Sequence, residues 1–281
     1  MDIGVNMSIS SQSIDVAVLA QKAESLGFES IWLPEHPIMP VNTTSRYGGS
    51  PDGKIPESMS DMGDPYINLA RASGVTEKIK LGTGISLIPE RNPLVLAKEV
   101  ATLDLYSGGR FVMGIGTGWL REETEIMGGD FDHRWSQARE AILAMKELWT
   151  KDEAEFHGEF FDFPLIKCNP KPVQKPNPPV LLGGKARNVF KRVVAWGDGW
   201  MPNAVTPDEI KAGRAILDEL ADAAGRNPES IQITVFGQNA DPEVIKSMED
   251  AGANRVIVRL PSTLDESALT ELERMAEQVI S

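Results

Sequence analysis

Glu35 and His36 close the second apolar run of the chain, "FESIWLP". An imidazole beside a carboxylate can move a proton near neutral pH. A histidine ahead of Pro37 can equally be an ordinary loop residue with its hydrogen bonds satisfied. Two glycine-rich turns carry the other candidate chemistry. In "GRFVMGIGTGW" a short apolar run meets glycine at 114, 116 and 118. Glycine weakens a strand, so the pattern implies a close approach to that backbone. In "LLGGKARN" Gly183 and Gly184 join a buried run to a helix start, with Lys185 and Arg187 in the first turn. Backbone N–H groups and the dipole at such an end favour an anion, whereas cations there are unfavourable without one. The turn therefore reads as a phosphate site, or else as a plain tight connection with two solvated cations.

Other chemistries lack their residues. Cys168 is the single cysteine, so there is neither an intrachain disulfide nor a thiolate cluster. Of three histidines only His36 falls at a strand end; His133 and His157 read as surface residues. No cluster of carboxylates accompanies it, so neither a metal centre nor a glycosidase pair is expected. A G-x-G-x-x-G reading fails, because Trp119, Arg121 or Leu87 stands where the third glycine belongs. A formal net charge of −13 argues against nucleic-acid and membrane partners. The N-terminus "MDIGVNMSIS" has no basic region or long apolar run. A cytoplasmic enzyme acting on a small molecule is the expectation.

Eight apolar runs, each followed by a helical pattern, must position these residues. Near-continuous apolar strands imply a parallel sheet buried on both faces. Eight such units close a (β/α)8 barrel, and 281 residues suit one such domain spanning 1–281. The other option, an open doubly wound sheet, would carry the missing dinucleotide turn. Helix starts are marked by Ser13, by Asp64 before Pro65, and by Asn92 before Pro93. The final helix is placed from Asp265 to Val279. Two stretches break the rhythm. Residues 38–63, rich in Pro, Gly, Ser and Asp, form a long loop above His36 and read as a lid or as passive disorder. Residues 151–178 form an excursion before strand five, with a small hairpin in "EAEFHGEFFDF" and a proline-rich return. Barrel active sites lie at the C-terminal strand ends, where Glu35, His36, Gly84, Gly116, Thr117, Gly183, Gly184 and Lys185 all fall. Three glycine-rich strand ends in a row bare backbone for a large flat ligand.

"ESLGFESIWLPEHP", "KIKLGTGISLIPERNPLVLAKEVATLDLYSGGRFVMGIGTGWLREE" and "KPVQKPNPPVLLGGKARNVFKRVVAWGDGWMPN" closely resemble the bacterial luciferase-like flavin and deazaflavin superfamily, over most of residues 1–202. Within it the chain looks most like the coenzyme F420-dependent oxidoreductases. The resemblance implies a TIM barrel with an insertion before strand five and, commonly, a homodimer. It places Glu35 and His36 beside the deazaflavin ring, with His36 as the proton-transfer or electrostatic partner of hydride transfer. It also implies a non-proline cis peptide at Gly84–Ile85 behind the ring, ring and ribityl contacts at Gly116 and Thr117, and phosphate contacts at Gly183, Gly184 and Lys185. FMN in a monooxygenase is the alternative cofactor. A non-catalytic flavin-binding protein is a lesser alternative, and a cofactor-free lyase or isomerase using Glu35 and His36 a remote one.

Overall fold

The computed structural model describes residues 1–261 and 267–280. The chain opens with β1 (Asp2–Asn6), α1 (Val16–Ser25) and β2 (Ser30–Leu33). The loop after β2 holds a 3-10 turn at Glu57–Asp61 and leads to α2 (Pro65–Ser73). Then come β3 (Lys80–Thr83), β4 (Ser86–Leu87), a 3-10 turn at Ile88–Glu90, α3 (Pro93–Ser107) and β5 (Phe111–Gly116). Helices α4 (Arg121–Ile126) and α5 (Arg134–Thr150) precede a hairpin of β6 (Ala154–His157) and β7 (Asp162–Ile166). The second half runs β8 (Val180–Gly183), α6 (Val189–Trp196), β9 (Gly199–Met201), α7 (Pro207–Ala223), β10 (Gln232–Gln238), α8 (Pro242–Asp250), β11 (Arg255–Arg259) and α9 (Ser267–Val279).

The sheet order is β3-β2-β1-β11-β10-β9-β8-β5-β4, and β3 also pairs with β5. That pairing closes the ring, and every pairing within it is parallel. The fold is the (β/α)8 barrel that the eight apolar runs imply. The third barrel position is occupied in turn by β3 and β4, which flank a cis Gly84–Ile85 peptide. This is the bond at which the resemblance places one. Trp32, Val112, Leu181, Met201 and Ile257 form an inner cluster, with Ile85 and Phe236 packed against it. A second, larger apolar layer lies between strands and helices. Each buried Leu, Ile or Val there is worth roughly 1.5–3 kcal/mol.

Caps follow the sequence signals at α2, where Asp64 accepts from the Ile67 N–H, and at α3, where Asn92 accepts from Leu94 and Val95. Two signals are displaced. Helix α1 is capped by Asp15, whose carboxylate accepts from Ala17, and not by Ser13. Helix α6 begins at Val189, so Lys185 and Arg187 precede it instead of lying in its first turn. The start of the last helix at Asp265 lies outside the described residues. The excursion is the expected antiparallel hairpin, with Phe156 and Phe163 stacked at 6.2 Å. Among the described residues, no helix is long and apolar enough to cross a membrane, and no group of three or more His, Cys, Asp or Glu side chains is placed to hold a metal ion.

Candidate active site

His36 follows β2 at the C-terminal mouth of the barrel. Its Nδ1 lies 2.7 Å from Oε2 of Glu123, a residue of α4 that is 87 positions away in sequence. Both side chains are nearly closed to solvent, at 8% and 0% exposure. A carboxylate can only accept, so the imidazole proton sits on Nδ1 and Nε2 is left for chemistry. The Trp119 ring stands edge-on to the imidazole at 6.0 Å and fixes its plane from the side. Glu123, Trp119 and α4 were not assigned this role from sequence. A helix of six residues between two glycine turns leaves too little periodicity to read.

Glu35 turns away from His36. Its Oε2 accepts from the Ser86 hydroxyl at 2.9 Å and the Leu87 N–H at 2.6 Å, and its Oε1 from Arg91 Nε at 2.6 Å. Arg91 closes the fork with its Nη2 on the same oxygen. Four donors thus hold a carboxylate that is 4% exposed. The carboxylate next to His36 in sequence buttresses the β3–β4 break, and the one next to it in space is Glu123. This geometry gives the acid–base pair of a cofactor-free lyase no support at Glu35.

The glycines account for the shape of the mouth. A Cβ on Gly114 would collide with the Thr83 carbonyl oxygen and Met201, and one on Gly116 with the δ-methyl of Ile85. One on Gly84 would strike the Phe236 ring. The bare backbone at 114 and 116 is therefore explained by the barrel's own atoms, and Ile85 lies across Gly116 and against Gly183. Thr117 is buried, and Gly118 takes φ +77° with Glu90 and Thr124 crowding its missing side chain. Asn6, at the end of β1, keeps its Oδ1 buried without a partner among the described residues.

Gly184 adopts φ +90° with open space where a side chain would stand. The backbone N–H groups of Lys185, Ala186, Arg187 and Asn188 make no hydrogen bond to a described residue. The Lys185 ammonium donates to the Ala204 carbonyl at 2.7 Å and sits 3.4 Å from Glu209. The turn thus offers backbone donors to an anion, while its lysine is tied to the β9–α7 connection.

The loop at 38–63 packs against α4 beside His36. Glu122 accepts from the Thr44 N–H at 2.5 Å and the Ser45 hydroxyl at 2.7 Å. These bonds hold its carboxyl down at about 2, with the Ser45 hydroxyl the largest cause. The Tyr47 ring rests 5.4 Å from Trp119. His133 and His157 sit on the surface against Asp130 and Asp162, and neither reaches the mouth.

With this geometry in place, the sequence matches the luciferase-like monooxygenase family over residues 6–251. The chain belongs to that family. Relatives include an uncharacterised protein of Mycobacterium tuberculosis, 34% identical over 285 residues and covering 99% of each chain. The FMNH2-dependent dimethylsulfone monooxygenase of Pseudomonas putida is 30% identical over 77% of this chain and 55% of its own length. In fold the chain resembles the coenzyme F420-dependent tetrahydromethanopterin reductase of Methanopyrus kandleri, with a TM-score of 0.76, 19% identity, and coverage of 99% of this chain and 98% of that one. Proteins similar to this chain thus include one named for FMNH2 and one, alike in fold, named for coenzyme F420. The residues present fit either group. The mouth has an apolar floor at Ile85 and, among the described residues, a buried polar oxygen at Asn6 without a partner and four unpaired backbone donors ahead of α6.

Proposed function

We propose that this protein is a coenzyme F420-dependent oxidoreductase that moves a hydride between the deazaflavin and a small organic substrate. The observation that carries this reading is the buried His36–Glu123 pair at the mouth of a luciferase-like barrel. When bound, the deazaflavin supplies the hydride carrier. The chain's own residues do the rest. Glu123 fixes the tautomer of His36, whose Nε2 would give a proton to, or take one from, a substrate oxygen as hydride moves to or from the carbon that bears it. Ile85, carried on the cis bond, would support one face of the bound ring, with Gly84, Gly116 and Thr117 shaping the mouth beneath it. Gly183, Gly184 and the N–H groups of 185–188 would receive the phosphate, and Lys185 would contribute long-range positive charge from its tether on Ala204. Glu35 acts from behind by holding the β3–β4 break.

The loop at 38–63 serves as the lid in this reading, since Glu122 and Trp119 hold it beside His36. Closing such a loop excludes water from the reacting centre. One specific observation favours the second reading, an FMN-dependent monooxygenase: the 30% identity to the Pseudomonas putida enzyme over three quarters of this chain.

Titration of the protein with F420 and with FMN, following absorbance and fluorescence, separates the two. The expected outcome is saturable binding of F420 that is at least tenfold tighter than that of FMN. Binding of FMN alone, with oxygen uptake when reduced FMN and candidate substrates are mixed, would instead establish the monooxygenase. Tight binding of either with no turnover, and no change on His36→Ala, would leave a flavin-binding protein without catalysis. Sedimentation at micromolar concentration tests the homodimer that accompanies the reading.

A further inference from the structure

Behind the His36–Glu123 pair stands a second buried carboxyl. Glu90 ends the 3-10 turn after β4 and is 3% exposed. Its Oε1 accepts from the Thr124 hydroxyl at 2.9 Å, on the residue next to Glu123. The backbone of Gly118 passes so close that a Cβ there would lie 3.0 Å from the same oxygen. Of the four oxygens on Glu90 and Glu123, two are engaged: Glu90 Oε1 with Thr124, and Glu123 Oε2 with His36. The other two, Glu90 Oε2 and Glu123 Oε1, are buried without a partner among the described residues. Two ionised carboxylates left that way would each forfeit hydration without compensation.

We propose that Glu90 is a positioning residue that keeps one proton on Oε2 and donates it to Oε1 of Glu123, directly or through one buried water. A single proton then satisfies both orphaned oxygens, and Glu123 stays ionised toward His36. The inference deepens the oxidoreductase reading and rests on His36 being the group at the reacting centre.

The surroundings agree with a neutral Glu90. Burial comes first and the charge of Glu123 second in raising its carboxyl to about 8; Glu35 adds to the rise, while Thr124 and Arg91 oppose it. Arg91 is itself committed to Glu35, Asp64 and Glu99. Helix α5 also packs on this turn. A surface hollow of ≈ 290 Å³ lined by Pro37, Asp64, Glu90, Arg91 and Met127 lies beside this turn.

The test needs no coenzyme, so its outcome is separate from that of the oxidoreductase reading. Infrared spectra of the wild type and Glu90→Gln at pH 7 should differ by one protonated-carboxyl stretch. That band should vanish from the wild type as the pH passes about 8. By NMR, the His36 imidazole of Glu90→Gln should keep its wild-type Nδ1–H signal, because the amide still donates to Glu123. In Glu90→Ala that signal should broaden or shift. Thermal melts give a third reading: the Tm of Glu90→Gln relative to wild type should rise by roughly 5 °C or more between pH 5 and pH 8. No carboxyl band at pH 7, or identical His36 signals in the Gln and Ala variants, overturns the proposal.

Discussion

Single side chains here are decided by who satisfies whom. Glu35 and Glu123 are both buried carboxylates at the barrel mouth, yet only Glu123 faces His36. Arg91 is the reason, because its guanidinium and the donors of Ser86 and Leu87 use up Glu35. Replacing Arg91 by Met would leave that buried carboxylate without its counter-charge, held only by Ser86 and Leu87. The expected loss is about 3–5 kcal/mol of stability, read from urea unfolding. His36→Ala likewise leaves a buried carboxylate, Glu123, without its partner, so it should also lose stability, yet once folded bind coenzyme within a few-fold of wild type. Its kcat/KM should drop by roughly 100-fold or more, the range for a general acid or base. Glu123→Gln should fall between the two, since the amide oxygen still accepts from Nδ1 but no longer offers the imidazolium a charge. Turnover in His36→Ala at the wild-type rate would remove the histidine from the mechanism.

Among the elements, the break between β3 and β4 shapes the mouth, and two glycines on β5 report on it differently. At Gly114 the obstacle to a Cβ is the Thr83 carbonyl, a backbone atom that cannot move without the sheet. At Gly116 it is the end of the Ile85 side chain, which can swing. Gly114→Ala should therefore cost at least the upper end of the ~1–3 kcal/mol typical of overpacking, and Gly116→Ala near its lower end. The second variant should instead weaken coenzyme binding, because Ile85 is pushed into the mouth. Equal stability losses for both would contradict this division. Much at this scale was legible in sequence. Asp64-Pro65 and Asn92-Pro93 mark helix starts by local chemistry, and eight apolar runs mark eight barrel positions. What was not legible depends on distant partners. Helix α4 has six residues and draws its stability from packing, so no pattern announces it. The 87-residue span from His36 to Glu123 exists only once the barrel closes. Ser13 lost the cap of α1 because Asp15, nearer the helix, also pairs with Arg71.

At the scale of the whole molecule, the half-buried Glu29 and the buried Glu90 have linkages to folding of opposite sign. Glu29 is drawn up by burial but more strongly down by Arg255 and Lys80, ending at about 2. A depressed carboxyl contributes stability that is present above its unfolded value of 4.5 and lost as pH falls toward 2. Glu90, raised to about 8, behaves the other way: its contribution is full below 4.5 and is lost as pH rises to 8. Glu122, held at about 2 by the loop, adds to the acid side. Net charge acts in the same sense as Glu90, since the chain reaches −13 at pH 7 and passes through neutrality near 4.8. Self-repulsion therefore grows across the range in which Glu90 ionises. These contributions place the stability maximum near pH 5, on the acid side of where many proteins are most stable. Urea midpoints measured from pH 3 to pH 9 at low protein concentration should peak there and decline toward pH 8. The decline should shrink in Glu90→Gln, and the acid limb should shrink in Glu29→Gln. Because Glu29 braces Arg255 at the N-terminal ends of the strands and Glu90 lies past their C-terminal ends, the two limbs also report on opposite ends of one fold. A midpoint that stays level from pH 5 to pH 8 in the wild type would show that the carboxyl behind His36 is already ionised at neutral pH.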